Sequence, residues 1–322
     1  MILLLTEAGS GIGFGHLTRM LALGEALMEA GEDLLMLVQW EGAPDQRITE
    51  GRAWVRQESW RDDPTAVLRE SMASAALIDS YRLPLSGYEL IAGTQVKLIV
   101  IDDFYRLPYP ADLVINPNVY ADPQRYLPTA RRARGGVDCV ILRPDFVKAA
   151  GSFETAAHLR RVLITLGGSD VHATGRLLAS ALADSGLDTD WIAPDHQAAA
   201  VSHPRVTIHG TVGASDFIDL VRRNDLVICG GGQTLHELAC LGAPCVALEL
   251  GDDQRLNLGF YEHAGSLGQR LVWSQPQLTE AVLGRVDSLR AESERRRLSV
   301  LGRGLITGRG AHHVASEIFD GI

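Results

Sequence analysis

The stretch from Asp225 to Asn257 constrains the fold more tightly than any other part of the chain. It reads as strand, glycine turn, helix, strand and polar loop. Residues 226–229 form a short apolar run of the kind buried in a parallel sheet, and Gly230, Gly231 and Gly232 then let the backbone turn sharply. Gln233 and Thr234 open a helix that Gly242, Ala243 and Pro244 end, and 245–250 is a second buried strand. A glycine turn feeding a helix start presents unpaired N–H groups and the positive end of the helix dipole, which suits a phosphate or diphosphate. The same turn also serves as a purely structural device, so two readings stand side by side. Glu237, one turn into the helix, is placed to reach a sugar hydroxyl.

The pattern recurs at the start of the chain. Residues 1–7 read as a strand, a glycine-rich loop follows through Gly11, Gly13 and Gly15, and 17–30 has helical spacing with Leu17, Leu21, Ala22, Ala26 and Leu27 on one face. The glycine spacing departs from a dinucleotide fingerprint, and no acidic residue clearly ends the next strand, 34–39. A nicotinamide site is therefore not expected. A third glycine loop, Gly167 to Asp170, lies between a strand at 161–166 and a helix at 173–183. Strands are also expected at 75–78, 97–101, 113–116, 190–193, 206–209 and 269–273, and helices at 213–223, 257–264, from 277 onward and at 311–319. Residues 120–136 read as irregular.

This alternation predicts an α/β protein of two Rossmann-like, doubly wound domains facing a cleft. The expected division is 1–142 for the first domain, 143–160 for a linker and 161–322 for the second, with the last helix packing back on the first. A length of 322 residues favours two cores over one. With 46% apolar and 22% charged residues the chain reads as an ordinary soluble globular protein, and its net charge of −10 argues against a nucleic-acid partner. No integral membrane segment is expected, and residues 1–5 are too short for a signal sequence. Cys139, Cys229, Cys240 and Cys245 lack zinc spacing and read as reduced core residues of a cytoplasmic protein. The sequence assigns no oligomeric state.

Among candidate site residues, His16 stands at a helix start, where the dipole disfavours the cation and leaves a neutral imidazole able to accept a proton. A histidine that merely hydrogen-bonds its loop is the alternative. Arg19, one turn on, would contact an anion or pair with a nearby acid. Asp79-Ser80-Tyr81 and Asp102-Asp103 end strands, where the crevice of an open parallel sheet lies. For the two aspartates capping is favoured over metal binding, because no partner ligands accompany them at suitable spacing.

Taken in order, Gly11-Ile-Gly-Phe-Gly-His-Leu-Thr-Arg, Asp79-Ser-Tyr, Ile101-Asp-Asp, Leu142-Arg-Pro-Asp-Phe, Gly167-Gly-Ser-Asp, Gly230-Gly-Gly-Gln-Thr-Leu-His-Glu and Asp253-Gln resemble the UDP-sugar hydrolases of pseudaminic acid biosynthesis. That family looks like a shortened relative of the glycosyltransferase that makes peptidoglycan lipid intermediates, with the two-Rossmann GT-B fold. The resemblance spans nearly the whole chain. It implies hydrolysis of UDP-2,4-diacetamido-2,4,6-trideoxy-altropyranose to UDP and free sugar, with no cofactor and no metal. By the same resemblance His16 is the catalytic histidine, and Gly168, Ser169, Gly231, Gly232, Gln233 and Thr234 surround the diphosphate. Glu237 holds the ribose, the backbone from Ile208 to Gly210 reads uracil, and Tyr81 and Asp103 face the sugar. Gly13, Gly15, Arg19, Asp253, Gln254 and Asn257 complete the substrate-binding set.

Asp253 stands where the family usually has asparagine, which would bring a negative charge near the diphosphate. Leu5-Thr6-Glu7 replaces Arg-Ala-Asp, Val171-His172 replaces Pro-Asn, and Cys139 replaces a tyrosine. A glycosyltransferase using the same donor site and base is the alternative activity; a nucleotide-sugar-binding subunit without catalysis is a third.

Overall fold

The computed structural model describes residues 1–9, 11–42, 50–167, 173–193 and 201–319. They form two compact units, Met1–Arg143 with Arg309–Ile322, and Pro144–Gly308. In the first unit the strands are β1 (Ile2–Gly9), β2 (Leu34–Glu41), β3 (Val55–Gln57), β4 (Ala75–Asp79), β5 (Lys97–Ile101), β6 (Leu113–Asn116) and β7 (Ala133–Gly135), with helices α1 (Gly15–Glu29), α2 (Pro64–Ser71) and α3 (Leu85–Ala92). All seven strands are parallel, in the order β3-β2-β1-β4-β5-β6-β7. Because β1 lies inside this sheet, both its faces are covered. Ile2 and Leu4 pack with Leu17, Met20 and Leu23 on one side, while Leu3 and Leu5 pack with Trp60, Tyr88 and Ile91 on the other. Two covered faces explain the unbroken apolar run at the start of the sequence.

The second unit repeats the plan with β8 (Arg161–Thr165), β9 (Asp188–Ile192), β10 (Val206–His209), β11 (Leu226–Gly230), β12 (Cys245–Glu249) and β13 (Leu271–Val272). Its helices are α4 (Pro144–Lys148), α5 (Thr174–Asp184), α6 (Ala214–Arg222), α7 (Gln233–Leu241), α8 (Arg255–His263), α9 (Leu278–Ser288) and α10 (Glu292–Leu305). The six parallel strands run in the order β10-β9-β8-β11-β12-β13. In each sheet the chain builds outward in one direction, returns to the centre and builds the other way. The reversal falls between β1 and β4 in one unit and between β8 and β11 in the other, and each creates a crevice beyond the strand ends.

Two readings from sequence need correction. Residues 120–136 are not wholly irregular: they contain β7, an edge strand too short and too polar to show as an apolar run. Residues 143–160 are not a free connection. They carry α4 and bury Phe146, Phe153 and Leu159, and their backbone bonds to the end of α7, Gly151 N to Cys240 O at 2.9 Å and Phe153 N to Leu241 O at 3.1 Å. Arg295, fully buried, donates to the carbonyls of Leu289, Arg290 and Ala156 at 2.6 to 2.7 Å. The anchoring residues are too widely spaced to give a helical or strand period.

The last helix, α11 (Gly310–Phe319), packs on α1, placing Val314, Ala315 and Ile318 in the core that holds Leu17 and Leu21. Its first residue meets the backbone so closely that a Cβ on Gly310 would lie 2.0 Å from the Val140 carbonyl oxygen. Gly310→Ala is therefore expected to lower unfolding stability by about 1–3 kcal/mol, as overpacking does, measurable as a fall in urea midpoint at unchanged slope.

Candidate active site

In the first unit the register sets Thr6 of β1 beside Asp79 of β4. The glycine-rich loop leaves β1, turns back through a bond from Gly13 N to Gly9 O at 2.7 Å, and enters α1 at Gly15. Gly13 sits at φ +83°, which a side chain would resist. This turn delivers His16, in the first turn of α1, onto the end of β4. Its Nδ1 lies 2.6 Å from Asp79 Oδ1, and both residues are buried. Two lone pairs would repel at that distance, so Nδ1 carries the proton and donates it to the carboxylate. Nε2 is then the basic nitrogen.

Arg19, one turn further along α1, is held between two carboxylates. It donates from Nε to Asp79 Oδ2 at 2.5 Å and from Nη2 to Asp79 Oδ1 at 2.7 Å, then from Nη1 and Nη2 to Asp103 at 2.7 and 2.8 Å. Of the two roles open to it in the sequence, pairing with an acid is the one the structure displays. Burial alone would raise the pKa of Asp79, but Arg19 and His16 outweigh it and hold the carboxyl well below the usual range. Asp103 is likewise buried and likewise lowered, with Arg19 prevailing over desolvation. Tyr81 donates its hydroxyl to Asp103 Oδ2 and sets its ring edge-on to His16, with centroids 4.2 Å apart. Burial, with the Asp103 charge beside it, pushes the Tyr81 phenol far up, so it stays a neutral donor.

Three acids gain roles that sequence alone does not give them. Asp79 is visible as a strand-end acid, but nothing in the sequence joins it to a histidine 63 positions away. Asp102, fully buried, accepts from Tyr109 at 2.7 Å and Tyr126 at 2.6 Å, a bracing role near the capping expected of it. Glu7, also fully buried, accepts from Ser80 Oγ and Tyr81 N at 2.9 Å and from Arg61 at 3.2 Å, and so fixes the turn after β4. Phe104 stands half-exposed beside this cluster with its ring 6.0 Å from that of Tyr81, and Phe14, half-exposed at the start of α1, sets its ring 6.2 Å from that of Trp40.

In the second unit Gly230 ends β11, and α7 begins at Gln233 with Gly232 as its cap and no side chain capping it. A Cβ on Gly231 would meet Leu258 at 2.5 Å, so packing accounts for that glycine, whereas a Cβ on Gly232 would meet nothing within 4 Å. Gln254 Oε1 accepts from Gly231 N at 2.9 Å and Leu250 N at 3.1 Å, tying the turn to the end of β12. Glu237 and Asn257 are buried, and Asn257 Oδ1 has no hydrogen-bond partner among the described residues. Thr234 lies in the first turn of α7, Asp253 is exposed in the single turn before α8, and Gly210 follows β10, which contains Ile208. Gly168 and Ser169 lie outside the described residues. On β9, Asp190 gathers His209, Asn224 and Arg223 at 2.7 to 2.9 Å. Burial opposes its charge, but these donors bring its pKa down to about 2. His236, by contrast, is pushed down to about 4 by burial and bonds Tyr261 OH at 2.7 Å, which makes it a neutral core residue. The four cysteines are free and buried. Among the described residues no group of three or more His, Cys, Asp or Glu is arranged to hold a metal ion, and no helix is long and apolar enough to cross a membrane.

No protein-family model matches the chain. It is 24% identical over 271 residues to the spore coat polysaccharide biosynthesis protein SpsG of Bacillus subtilis, covering 75% of each chain. It is 26% identical over 185 residues to the UDP-2,4-diacetamido-2,4,6-trideoxy-beta-L-altropyranose hydrolase of Campylobacter jejuni, covering 56% of this chain and 65% of that protein. Among solved structures it is similar to MurG of Acinetobacter baumannii, with a TM-score of 0.73, 16% identity and 99% of each chain covered. The fold is thus the two-domain Rossmann-like α/β arrangement of GT-B glycosyltransferases, as the sequence pattern leads one to expect.

Two outcomes follow from this geometry. Asp79 has a lower pKa folded than unfolded (about 3.9), so the stability it contributes is present above that value and is lost as pH falls through it toward the folded value. Asp79→Asn is expected to cost about 3 kcal/mol near neutral pH, and the gap to wild type in urea unfolding should close as pH falls from about 5 towards 2. Gln254→Ala would leave the amides of Gly231 and Leu250 unpaired, with an expected loss of about 1–3 kcal/mol in the same measurement.

Proposed function

We propose that this chain is a nucleotide-sugar-processing enzyme, and specifically a hydrolase that cleaves the anomeric C–O bond of a UDP-linked diacetamido-trideoxy sugar, giving UDP and free sugar for nonulosonic acid biosynthesis. The observation that carries the reading is the buried His16–Asp79 pair, which leaves Nε2 of His16 as one oriented base. A glycosyl diphosphate already has a good leaving group, so a second carboxyl acting as acid, as in ordinary glycosidases, is not needed. Nε2 takes a proton from water, and the water oxygen attacks the anomeric carbon from the face opposite UDP. The C–O bond then breaks with its electron pair going to the β-phosphate oxygen, and the configuration inverts. The first unit supplies the base. The second holds UDP, with the start of α7 and the N–H of Gly232 facing the diphosphate, while the Gly231 N–H is held by Gln254. The names of the two relatives, a polysaccharide biosynthesis protein and a UDP-diacetamido-trideoxy-altropyranose hydrolase, support this reading.

A second reading, transfer of the sugar to an acceptor hydroxyl, is favoured by the half-exposed ring of Phe104 beside Tyr81, on which an acceptor would dock.

Release of UDP from UDP-linked diacetamido sugars in oxygen-18 water, followed by phosphorus NMR, separates the two. A hydrolase releases UDP promptly without an acceptor and places the label in the free sugar. A transferase releases it only slowly until an acceptor is supplied. His16→Ala is expected to lower kcat by about 10²–10⁴-fold while UDP affinity stays close to wild type; a variant that keeps most of its activity removes His16 from the mechanism.

A further inference from the structure

The resemblance in sequence gives Asp103 to the sugar, but its acceptor capacity is already used within the protein. Oδ1 accepts from Arg19 Nη1 at 2.7 Å and Asn118 Nδ2 at 2.9 Å, and Oδ2 accepts from Arg19 Nη2 at 2.8 Å and from the Tyr81 hydroxyl. An ionised carboxylate offers about four acceptor positions, and four donors occupy them. A sugar hydroxyl would have to displace one.

We propose that Asp103 is a positioning residue that acts through Arg19: by holding one side of the guanidinium, it leaves the Asp79 carboxylate enough negative charge to support a proton on His16. The proposal rests on His16 being the base. With His16 neutral, Asp79 and Asp103 carry two negative charges against the single positive charge of Arg19, and a proton arriving on His16 balances the cluster. Removing the Asp103 charge gives Arg19 wholly to Asp79, and the same proton then creates an excess positive charge. The other groups around His16 do not substitute for Asp103. Tyr81 is a neutral phenol, Asn118 is neutral, Glu7 at the end of β1 is paired with Arg61, and Arg82 is paired with Glu41. Arg106 lies over the Tyr81 ring, 5.0 Å from its centroid.

The test is the pH dependence of the His16 ring signals by NMR in the full-length protein with labelled histidine, assigned by comparison with His16→Asn. Asp103→Asn is expected to move the midpoint of the His16 change down by about one pH unit. Tyr81→Phe, which removes a donor to Asp103 and concentrates its charge on Arg19, is expected to move it up. Opposite shifts are not what loosened packing produces. An unchanged midpoint in Asp103→Asn, or a downward shift in both variants, overturns the proposal. Should Asp103→Asn fail to fold, an unmoved or lowered midpoint in Tyr81→Phe overturns it alone. These readings need no turnover, so they stand even if UDP release fails to appear and the hydrolase reading falls. Where turnover is present, the acid limb of kcat/KM follows the same shifts; a raised KM with an unmoved limb would instead make Asp103 a direct sugar ligand.

Discussion

Arg19 lies partly buried between the buried carboxylates of Asp79 and Asp103, and the architecture of the first unit depends on the charges meeting there. Taking a carboxylate out of water is costly unless a cation and hydrogen bonds replace the solvent. Asp79 is fully buried at the end of a central strand, and it is tolerated because α1 brings a forked guanidinium and an imidazole onto it from consecutive turns. Arginine suits this place better than lysine, since its planar fork serves two carboxylates at once. Once these partners are in place, the rotamers of His16 and Tyr81 are set as well. The cluster that stabilises the fold is therefore the same one that orients His16.

The second unit solves a different problem. Its glycine turn carries no charge of its own, and the geometry at the start of α7 depends on the single carbonyl oxygen of Gln254, which accepts two amides from separate strand ends. Leu258 fills the space over Gly231 and leaves no room for a side chain there. Two of the three glycines are thus explained by close approach within the protein, Gly230 to Leu250 and Gly231 to Leu258, while Gly232 faces open space at the helix start. Packing and ligand binding are competing readings of this turn in the sequence. In the structure packing accounts for Gly230 and Gly231.

Much of the fold is legible in the sequence because parallel strands buried on both faces leave uninterrupted apolar runs. Residues 97–101 and 113–116 read from sequence with the bounds the structure gives them. The three-residue edge strands Val55–Gln57 and Ala133–Gly135 are not legible, having one covered face at most, although the longer edge strand 206–209 is. The segment joining the units escapes sequence reading for a related reason, since Phe146, Phe153 and Leu159 bury one at a time with polar residues between them.

By itself the sequence determined the alternation of strand and helix, the glycine turns at helix starts, and a histidine and several acids at the ends of strands. Those are local properties, set by side-chain periodicity and backbone freedom within a few residues. Which acid meets His16 and which meet Arg19 was decided only by tertiary structure. His16 and Asp79 are 63 positions apart, and Arg19 and Asp103 are 84 apart. They meet because the order β1-β4-β5 sets those strand ends side by side. Strand order arises from packing both sheet faces and from the handedness of the crossovers, and no stretch of sequence short enough to read locally contains it.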